Sequence, residues 1–310
     1  MDSRHRELEP GLFEPVEVDR DEGERISGPR VGFWKDSWIR LKKNRGALIS
    51  LAVVLFLFAM AFVIDPLLSP HSPYSQDLTR RYLGPTADYW FGTDEFGRDM
   101  WTRVWAGTRV SLYIGLLAAL LDIFVGVVYG AISGFLGGRT DEVMQRGIEI
   151  LNGIPYLIVA ILAMIVFQPG IITISIALGL TGWTFMARIV RGRMLQLKNQ
   201  EFALASRALG ASGFRLVWKH LIPNSLGLIV INLMFTIPAA IFAEAFLSFI
   251  GLGIQVPEAS LGSLISDGAQ ELRFHPFLLW FPSIIFCLLM ICFNLLGDGL
   301  RDALDPKMRK

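Results

Sequence analysis

A few ionisable and polar residues interrupt long apolar stretches of this 310-residue chain, where they could bind a polar solute. Asp122, Glu149 and Glu244 lie in or near such stretches, and Asn294 adds an amide in the last one. A charged side chain is costly in lipid, so such residues line polar paths or face the inside of a bundle. The candidates for a translocation path or gate are Asp122, Glu244, Asn294 and Pro238, which is expected to kink its helix. Alternatively, each acid is satisfied by a neighbouring helix and serves packing alone.

The sequence contains none of the short motifs that mark common catalytic sites. HExxH, GxSxG and CxxC are missing, and the dipeptide Gly-Lys never occurs, which excludes a P-loop. The four histidines lie in the tail and loops without the spacing of metal ligands: His5, His71, His220 and His275. We therefore expect no enzyme activity, no cofactor and no metal in this chain. If ATP drives its function, ATP and Mg²⁺ are expected on partner subunits.

The elements that must position these residues are long apolar segments. The chain is 53% hydrophobic, and about 20 apolar residues are enough to cross the hydrocarbon core of a bilayer. The segments of roughly this length are 46–64, 110–133, 148–167, 171–187, 225–250 and 277–297. The predicted fold class is therefore an all-α integral membrane protein with six transmembrane helices.

Positive charges lie on alternate connections between these segments. Most of the 29 lysines and arginines lie in 1–45, 134–147, 188–224 and 298–310, which all fall on one side of the membrane. Cytoplasmic loops of membrane proteins carry this excess, so both termini are predicted to be cytoplasmic.

The same pattern divides the chain into regions. These are a mobile tail 1–31, an amphipathic interfacial helix 32–45, a first transmembrane helix 46–64, an extracytoplasmic segment 65–108, a core bundle 109–297 with five transmembrane helices, and a cytoplasmic tail 298–310. In the interfacial helix, Trp34, Trp38 and Leu41 share a face at i, i+4 and i+7, with lysines interspersed. These residues could equally be the ordinary aromatic and basic flank of the first span.

Two glycine-containing segments carry further structural predictions. Gly126, Gly130 and Gly134 form a stripe that allows another helix to approach closely. Before the second span, glycines and opposite charges alternate, which predicts a compact turn with local ion pairs, or alternatively a contact surface. The residues of this signature loop (92–99) are Gly92, Thr93, Asp94, Gly97, Arg98 and Asp99.

The loop 188–224 is longer than a chain reversal needs. Residues 201–209 predict a helix, Gly210 is suited to positive φ at its end, and Ser212 is placed to cap a second helix. Pro223 is predicted to end that helix. An apolar stripe on this second helix consists of Phe214, Val217 and Leu221. The stripe indicates either a surface that docks in a partner's groove or one that covers the chain's own spans.

These residues resemble a known family. Ala205, Gly210 and Pro223 match the "EAA" loop of ABC-importer permeases (E-A-A-x3-G-x9-I-x-L-P), although Leu204 replaces the usual glutamate. Residues 220–224 are similar to the H-I-L-P-N variant of peptide permeases. Further segments resemble the same permeases: GTDxxGRD at 92–99, LSFIGLG at 247–253 and GDGLRDALDP at 297–306. The combination resembles the C-type subunit of oligopeptide and dipeptide importers (OppC/DppC type).

The resemblance implies a type I ABC-importer permease fold in a bacterial cytoplasmic (inner) membrane. It implies four kinds of partner: a second homologous permease, two cytoplasmic ATPase subunits, an extracytoplasmic peptide-binding protein and the lipid bilayer, but no nucleic acid. It also implies a coupling loop (201–224) that contacts the ATPases. Its residues are Glu201, Ala205, Ser206, Gly210, Ala211, Ser212, Phe214, Val217, His220, Leu221, Pro223 and Asn224.

Three other functions remain open at this point. A standalone ion- or proton-coupled carrier predicts inverted repeats and buried charges near mid-membrane, and no clear repeat is visible. A membrane scaffold would use the long loop as a general interaction surface. Importers of nickel or glutathione share the motifs named above.

Overall fold

The structure is a computed structural model that describes residues 32–304. This part of the chain is almost entirely helical, and its only β pairing is an isolated bridge between Thr93 and Asp99. The predicted mobile tail 1–31 and the last six residues of the predicted C-terminal tail lie outside the described residues.

Long helices dominate the described range. In chain order they are α1 Phe33–Lys43, α2 Arg45–Leu68, α3 Met100–Leu136, α4 Gly138–Asn152, α5 Tyr156–Phe167, α6 Ile171–Leu197, α7 Glu201–Ala208, α8 Gly213–Phe249, α9 Leu261–Gln270 and α10 Phe277–Leu304. Within this range α2, α3, α6, α8 and α10 are long and apolar enough to cross a membrane, and α4 with α5 forms a bent sixth candidate. The chain is a multi-pass α-helical membrane protein.

The predicted third span, 148–167, is not one straight helix. The chain breaks between α4 and α5 with a bend of 75°. Pro155 explains the break, because a proline disfavours helical conformation in the residue before it and lacks an N–H. Glu149 therefore lies on α4, where it is exposed and pairs with Arg146 at 2.6 Å. It thus lies on the first helix of the bent sixth candidate, near the start of the predicted segment 148–167.

Several helices extend past their predicted ends. The predicted core bundle starts at residue 109, but α3 already begins at Met100, because the Asp99 side chain caps it by accepting from Trp101 N at 2.9 Å. Likewise α6 continues to Leu197, so the loop predicted from 188 starts ten residues later.

The predicted C-terminal tail is helical as far as Leu304. Gly299 allows α10 to approach α2 here, since a Cβ at this position would collide with Ala47. Leu41 joins the same contact, and it packs in a cluster with Ala47 and Ala303. Leu41 is thus buried against the protein while Trp38, on the same predicted stripe, stays exposed.

The glycine stripe of α3 packs against α6, as predicted. A Cβ on Gly126 would lie 2.8 Å from the Trp183 carbonyl oxygen, and one on Gly134 would lie 2.6 Å from the Arg191 carbonyl oxygen. A Cβ on Gly130, between them, would collide with the backbone of Ala187. The two backbones therefore touch over two helical turns, which brings the C-terminal ends of α3 and α6 together.

Candidate functional site

The signature loop is a buried electrostatic cluster centred on Asp94. One carboxylate oxygen, Oδ1, accepts from the backbone N–H of Phe96 at 2.8 Å and of Arg98 at 3.0 Å. The other, Oδ2, accepts from Arg98 Nε at 2.6 Å and lies 3.2 Å from Arg103 Nε. Both arginines are nearly fully buried, with 3% and 2% of their surface exposed. Such a pairing is costly to break, because removal of Asp94 would leave two buried cations.

Two glycines allow the signature loop to close. Gly92 and Gly97 have φ values of +76° and +68°, and a Cβ on either would collide with a backbone carbonyl, of Leu83 or Asp77 respectively. Thr93 Oγ1 accepts from Leu83 N at 2.9 Å and donates to the Arg80 carbonyl. The predicted compact turn with local ion pairs is confirmed.

Asp99, the last residue of the signature loop, connects the loop to α3 and to His71. Asp99 caps α3 and contacts His71 Nδ1 at 3.0 Å. Burial raises the pKa of the Asp99 carboxyl. Next to the loop lies an open cleft whose charged lining includes Glu95, Asp267 and Glu271. Tyr82 lines the same cleft and donates to Glu271 at 3.3 Å.

The coupling loop lies at the opposite ends of α3 and α6. Between α7 and α8, Gly210 adopts a φ of +83°, and the turn is closed by Ala211 N, which donates to the Ser206 carbonyl at 3.0 Å. Ser212 caps α8 by accepting from Arg215 N at 3.3 Å. The local geometry predicted for Gly210 and Ser212 is thus present.

Pro223 follows the end of the second helix, whose last, π-helical segment runs to Leu221, as predicted. It lies at the start of a short 3₁₀ turn, Pro223–Ser225, which leads directly into the remainder of α8. A proline is tolerated at the start of a helical turn because its missing N–H is not needed there. The Asn224 side chain donates to the His220 carbonyl at 2.7 Å across this junction. The second helix of the loop and the fifth span are thus joined through this 3₁₀ turn within the long element Gly213–Phe249.

The predicted apolar stripe of α8 faces two ways. Leu221 is fully buried, Val217 is half-buried, and both join the core formed with α3 and α6. Phe214 instead points outward with 75% exposure. For Leu221 and Val217 the structure therefore agrees with the alternative prediction that the stripe covers the chain's own spans.

A different apolar surface is exposed on the coupling loop. Leu209 is 89% exposed and Trp218 is 47% exposed, and the Trp218 ring lies 6.0 Å from that of Phe214. Phe202 and Leu204 of α7 are exposed as well. Sequence reasoning missed Leu209 and Trp218, although the i, i+4 spacing of Phe214 and Trp218 could have indicated their shared face. We call these five residues the docking surface.

The remaining predicted residues of the loop surround this surface. Glu201, Ala205, Pro223 and Asn224 are exposed, while Ser206, Ala211 and His220 are half-buried.

Glu244 is enclosed by hydroxyl groups within the bundle. It is completely buried, and its two carboxylate oxygens accept from Ser111 Oγ at 3.2 Å and from Ser248 Oγ at 2.7 Å. Ser260, which caps α9, lies 3.4 Å from Ser248 Oγ. Ser111 also accepts from Leu261 N at 3.1 Å. The cluster joins α3, α8 and α9, which favours the packing alternative for this acid.

The other path candidates occupy separate positions. Asp122 begins a π-helical segment of α3, is 4% exposed, and lies beside Gly182 of α6; its Oδ1 has no hydrogen-bond partner in residues 32–304. Pro238 is buried in α8. Asn294 is exposed on α10 and donates to the Met290 carbonyl at 2.7 Å. No hydrogen bond joins any two path candidates in this range, so their role in a path stays a prediction.

The described range is thus a multi-pass helical bundle with exposed apolar side chains on a loop at one end. The comparisons make the class specific. The model of the family described as "binding-protein-dependent transport system inner membrane component" matches residues 126–310. That of the "N-terminal TM domain of oligopeptide transport permease C" matches residues 32–85. The chain belongs to the family of binding-protein-dependent transport system inner membrane components.

Individual proteins are similar over nearly their whole length. The chain is 50% identical to the dipeptide transport system permease protein DppC of Bacillus subtilis (strain 168), covering 99% of this chain and 96% of that protein. It is 47% identical to the oligopeptide transport system permease protein OppC of the same organism, covering 96% and 98%. A chain of the MetNI methionine ABC transporter, solved in inward-facing conformations, shares the fold with a TM-score of 0.51 at 17% identity, covering 64% of this chain and 94% of that one.

Proposed function

We propose that this chain is the C-type permease subunit of an ATP-driven importer of dipeptides or oligopeptides. The observation that carries the proposal is the identity of 47–50% over nearly the full length to relatives named as dipeptide and oligopeptide permeases. The chain forms the translocation path together with a second, homologous permease. An extracytoplasmic peptide-binding protein delivers the peptide.

The docking surface supports the coupling part of this proposal. Its five apolar side chains lie on two short helical arms joined at Gly210, and exposed apolar clusters of this kind bind grooves on partner proteins. One of two cytoplasmic ATPase subunits occupies this surface, and the ATPases bind the ATP and Mg²⁺. Closure of the ATPases moves the loop and switches the bundle between inward- and outward-facing states.

The orientation follows from the charge distribution. The coupling loop lies in the Lys- and Arg-rich segment 188–224, so it faces the cytoplasm with both termini. The signature loop and the charged cleft beside it then face the extracytoplasmic side, where the binding protein docks.

The deciding experiment is a mild detergent extraction of the tagged chain, followed by mass spectrometry of the proteins that accompany it. A second permease and two ATPases are expected. The double variant Phe214→Ala and Trp218→Ala should lose the ATPases but keep the second permease. Phe185→Ala, which removes an exposed ring from mid-α6, serves as the control and should retain both.

Recovery of the wild-type chain alone, correctly folded, would contradict the proposal and favour a standalone carrier. Uptake assays then decide the cargo. Radiolabelled dipeptides and tripeptides should accumulate, and accumulation of nickel or glutathione alone would assign the chain to those importers instead.

A further inference from the structure

Phe135 lies where the last turn of α3 meets the coupling loop. Its half-buried ring belongs to the apolar cluster that also holds Leu216 and Leu221 of α8. No motif in the sequence singled it out. Its neighbours, however, place it between a transmembrane helix and both arms of the loop.

The ring contacts each arm in a different way. From α7, the Arg207 guanidinium carbon lies 5.4 Å from the centroid of the Phe135 ring, which is the distance of a cation–π contact. From the start of α8, Gly213 packs against the ring so closely that a Cβ at this position would lie 2.9 Å from Phe135 Cε1. The ring therefore lies against residues on both sides of Gly210.

The helix that carries Phe135 is firmly attached to its neighbour. Lys198, just after α6, donates to the Gly134 carbonyl at 2.9 Å and to the Phe135 carbonyl at 3.3 Å. These carbonyls lie at the end of α3, where no intrahelical N–H is left to bind them. The glycine stripe continues the contact into the bilayer, so a displacement of Phe135 must move α3 and α6 together.

We infer that Phe135 is the positioning residue that transmits movement of the coupling loop to α3 and α6. The inference rests on the proposed function, because it assumes that ATPases move the loop. In this arrangement, α8 receives the movement through its covalent connection, whereas α3 and α6 receive it through packing contacts, and Phe135 is a side chain among these that contacts both arms of the loop. A ring that only filled space would affect stability without affecting the coupling of ATP hydrolysis to transport.

The test uses the complete transporter in proteoliposomes, with peptide uptake and ATP hydrolysis measured on the same preparation. Phe135→Ala should keep the wild-type content of ATPase subunits and continue to hydrolyse ATP. Its peptide uptake per ATP should fall about tenfold, equivalent to about 1.4 kcal/mol of lost coupling. Phe135→Tyr keeps the ring and should restore coupling. Leu136→Ala, a neighbour that is 59% exposed, is the matched control and should behave as wild type.

Wild-type coupling in Phe135→Ala would overturn the inference, as would a failure of Phe135→Tyr to restore it. If Phe135→Ala does not insert, Arg207→Gln decides, because this exposed residue can lose its cation without disturbing the core. Reduced uptake per ATP at full ATPase content supports the inference, and unchanged uptake overturns it. A wild-type chain that brings no ATPase would instead contradict the proposed function itself.

Discussion

Gly210 is required by its backbone conformation and not by its surroundings. Its φ is +83°, yet a Cβ placed there would meet no heavy atom within 4 Å. A side chain at this position therefore strains the turn between α7 and α8 without causing a clash. A substitution at Gly210 can therefore change the angle between α7 and α8 without changing the packing of the loop.

Gly210→Val should reduce peptide uptake while the chain still inserts and folds. A β-branched residue at positive φ costs roughly 1–2 kcal/mol, which is enough to favour a different angle between the arms. Gly210→Asn is the matched control, since asparagine tolerates this conformation. Uptake into membrane vesicles measures the difference. Normal uptake by Gly210→Val would show that transport does not depend on the angle set by Gly210.

Glu244 offers the second test at the residue scale. Glu244→Leu should lower the free energy of unfolding by about 2 kcal/mol, because buried serine hydroxyls lose their acceptor. Glu244→Gln retains an acceptor and nearly the same volume, so it should lie close to wild type. Thermal unfolding of the purified protein, followed by tryptophan fluorescence, compares them. If Glu244→Leu were as stable as wild type but inactive, Glu244 would belong to the translocation path.

Among the elements, the contact between α3 and α6 shows how a few missing side chains fix two helices. Because a Cβ on Gly130 would collide with the Ala187 backbone, one methyl group must separate the helices or distort one of them. The same contact places Asp141 of α4 beside α6, where Arg191 donates to both of its carboxylate oxygens at 2.5 and 2.6 Å. The tight helix pair and the bidentate ion pair thus hold the same region.

Gly130→Ala should destabilise the bundle by about 1–3 kcal/mol, the usual cost of overpacking a closely packed core. Gly192→Ala on α6 is the control, because a Cβ there meets no heavy atom within 4 Å. The yield of monodisperse protein after extraction and its melting temperature report the effect. Equal values for the two variants would show that the helices separate without cost.

Hydropathy predicted where the helices are but not where they end. The five continuous spans and the contact of the glycine stripe follow from apolar length and residue size, which act locally. The start of α3 depends on the Asp99 cap, and the break before α5 depends on Pro155. Helical periodicity placed Leu221 and Phe214 on one apolar face of α8. It could not show that other helices of the chain cover Leu221 and leave Phe214 exposed. The sequence likewise gave no sign of Phe135, whose partners are distant in the chain.

For the whole molecule, the predicted orientation in the membrane has a direct test. In a background with Cys287→Ser and Cys292→Ser, an exposed position at each end receives a single cysteine: Tyr74→Cys near the signature loop and Leu209→Cys on the docking surface. A membrane-impermeant maleimide should label Tyr74→Cys in intact cells and Leu209→Cys only after permeabilisation, because the positive charges lie on the side of Leu209. The reverse labelling would invert the orientation.

Because α8 runs from the docking surface to Phe249, a movement of its first residues would reach the Glu244 cluster near its other end. The Glu244 cluster anchors its far end to α3 and α9, and 31 residues separate that anchor from Gly213. At 1.5 Å per residue the arm is about 46 Å long, so each degree of swing corresponds to about 0.8 Å of travel at the loop. In the proposed importer, a push by an ATPase on the docking surface would therefore rotate the span about the serine hydroxyls that bind Glu244.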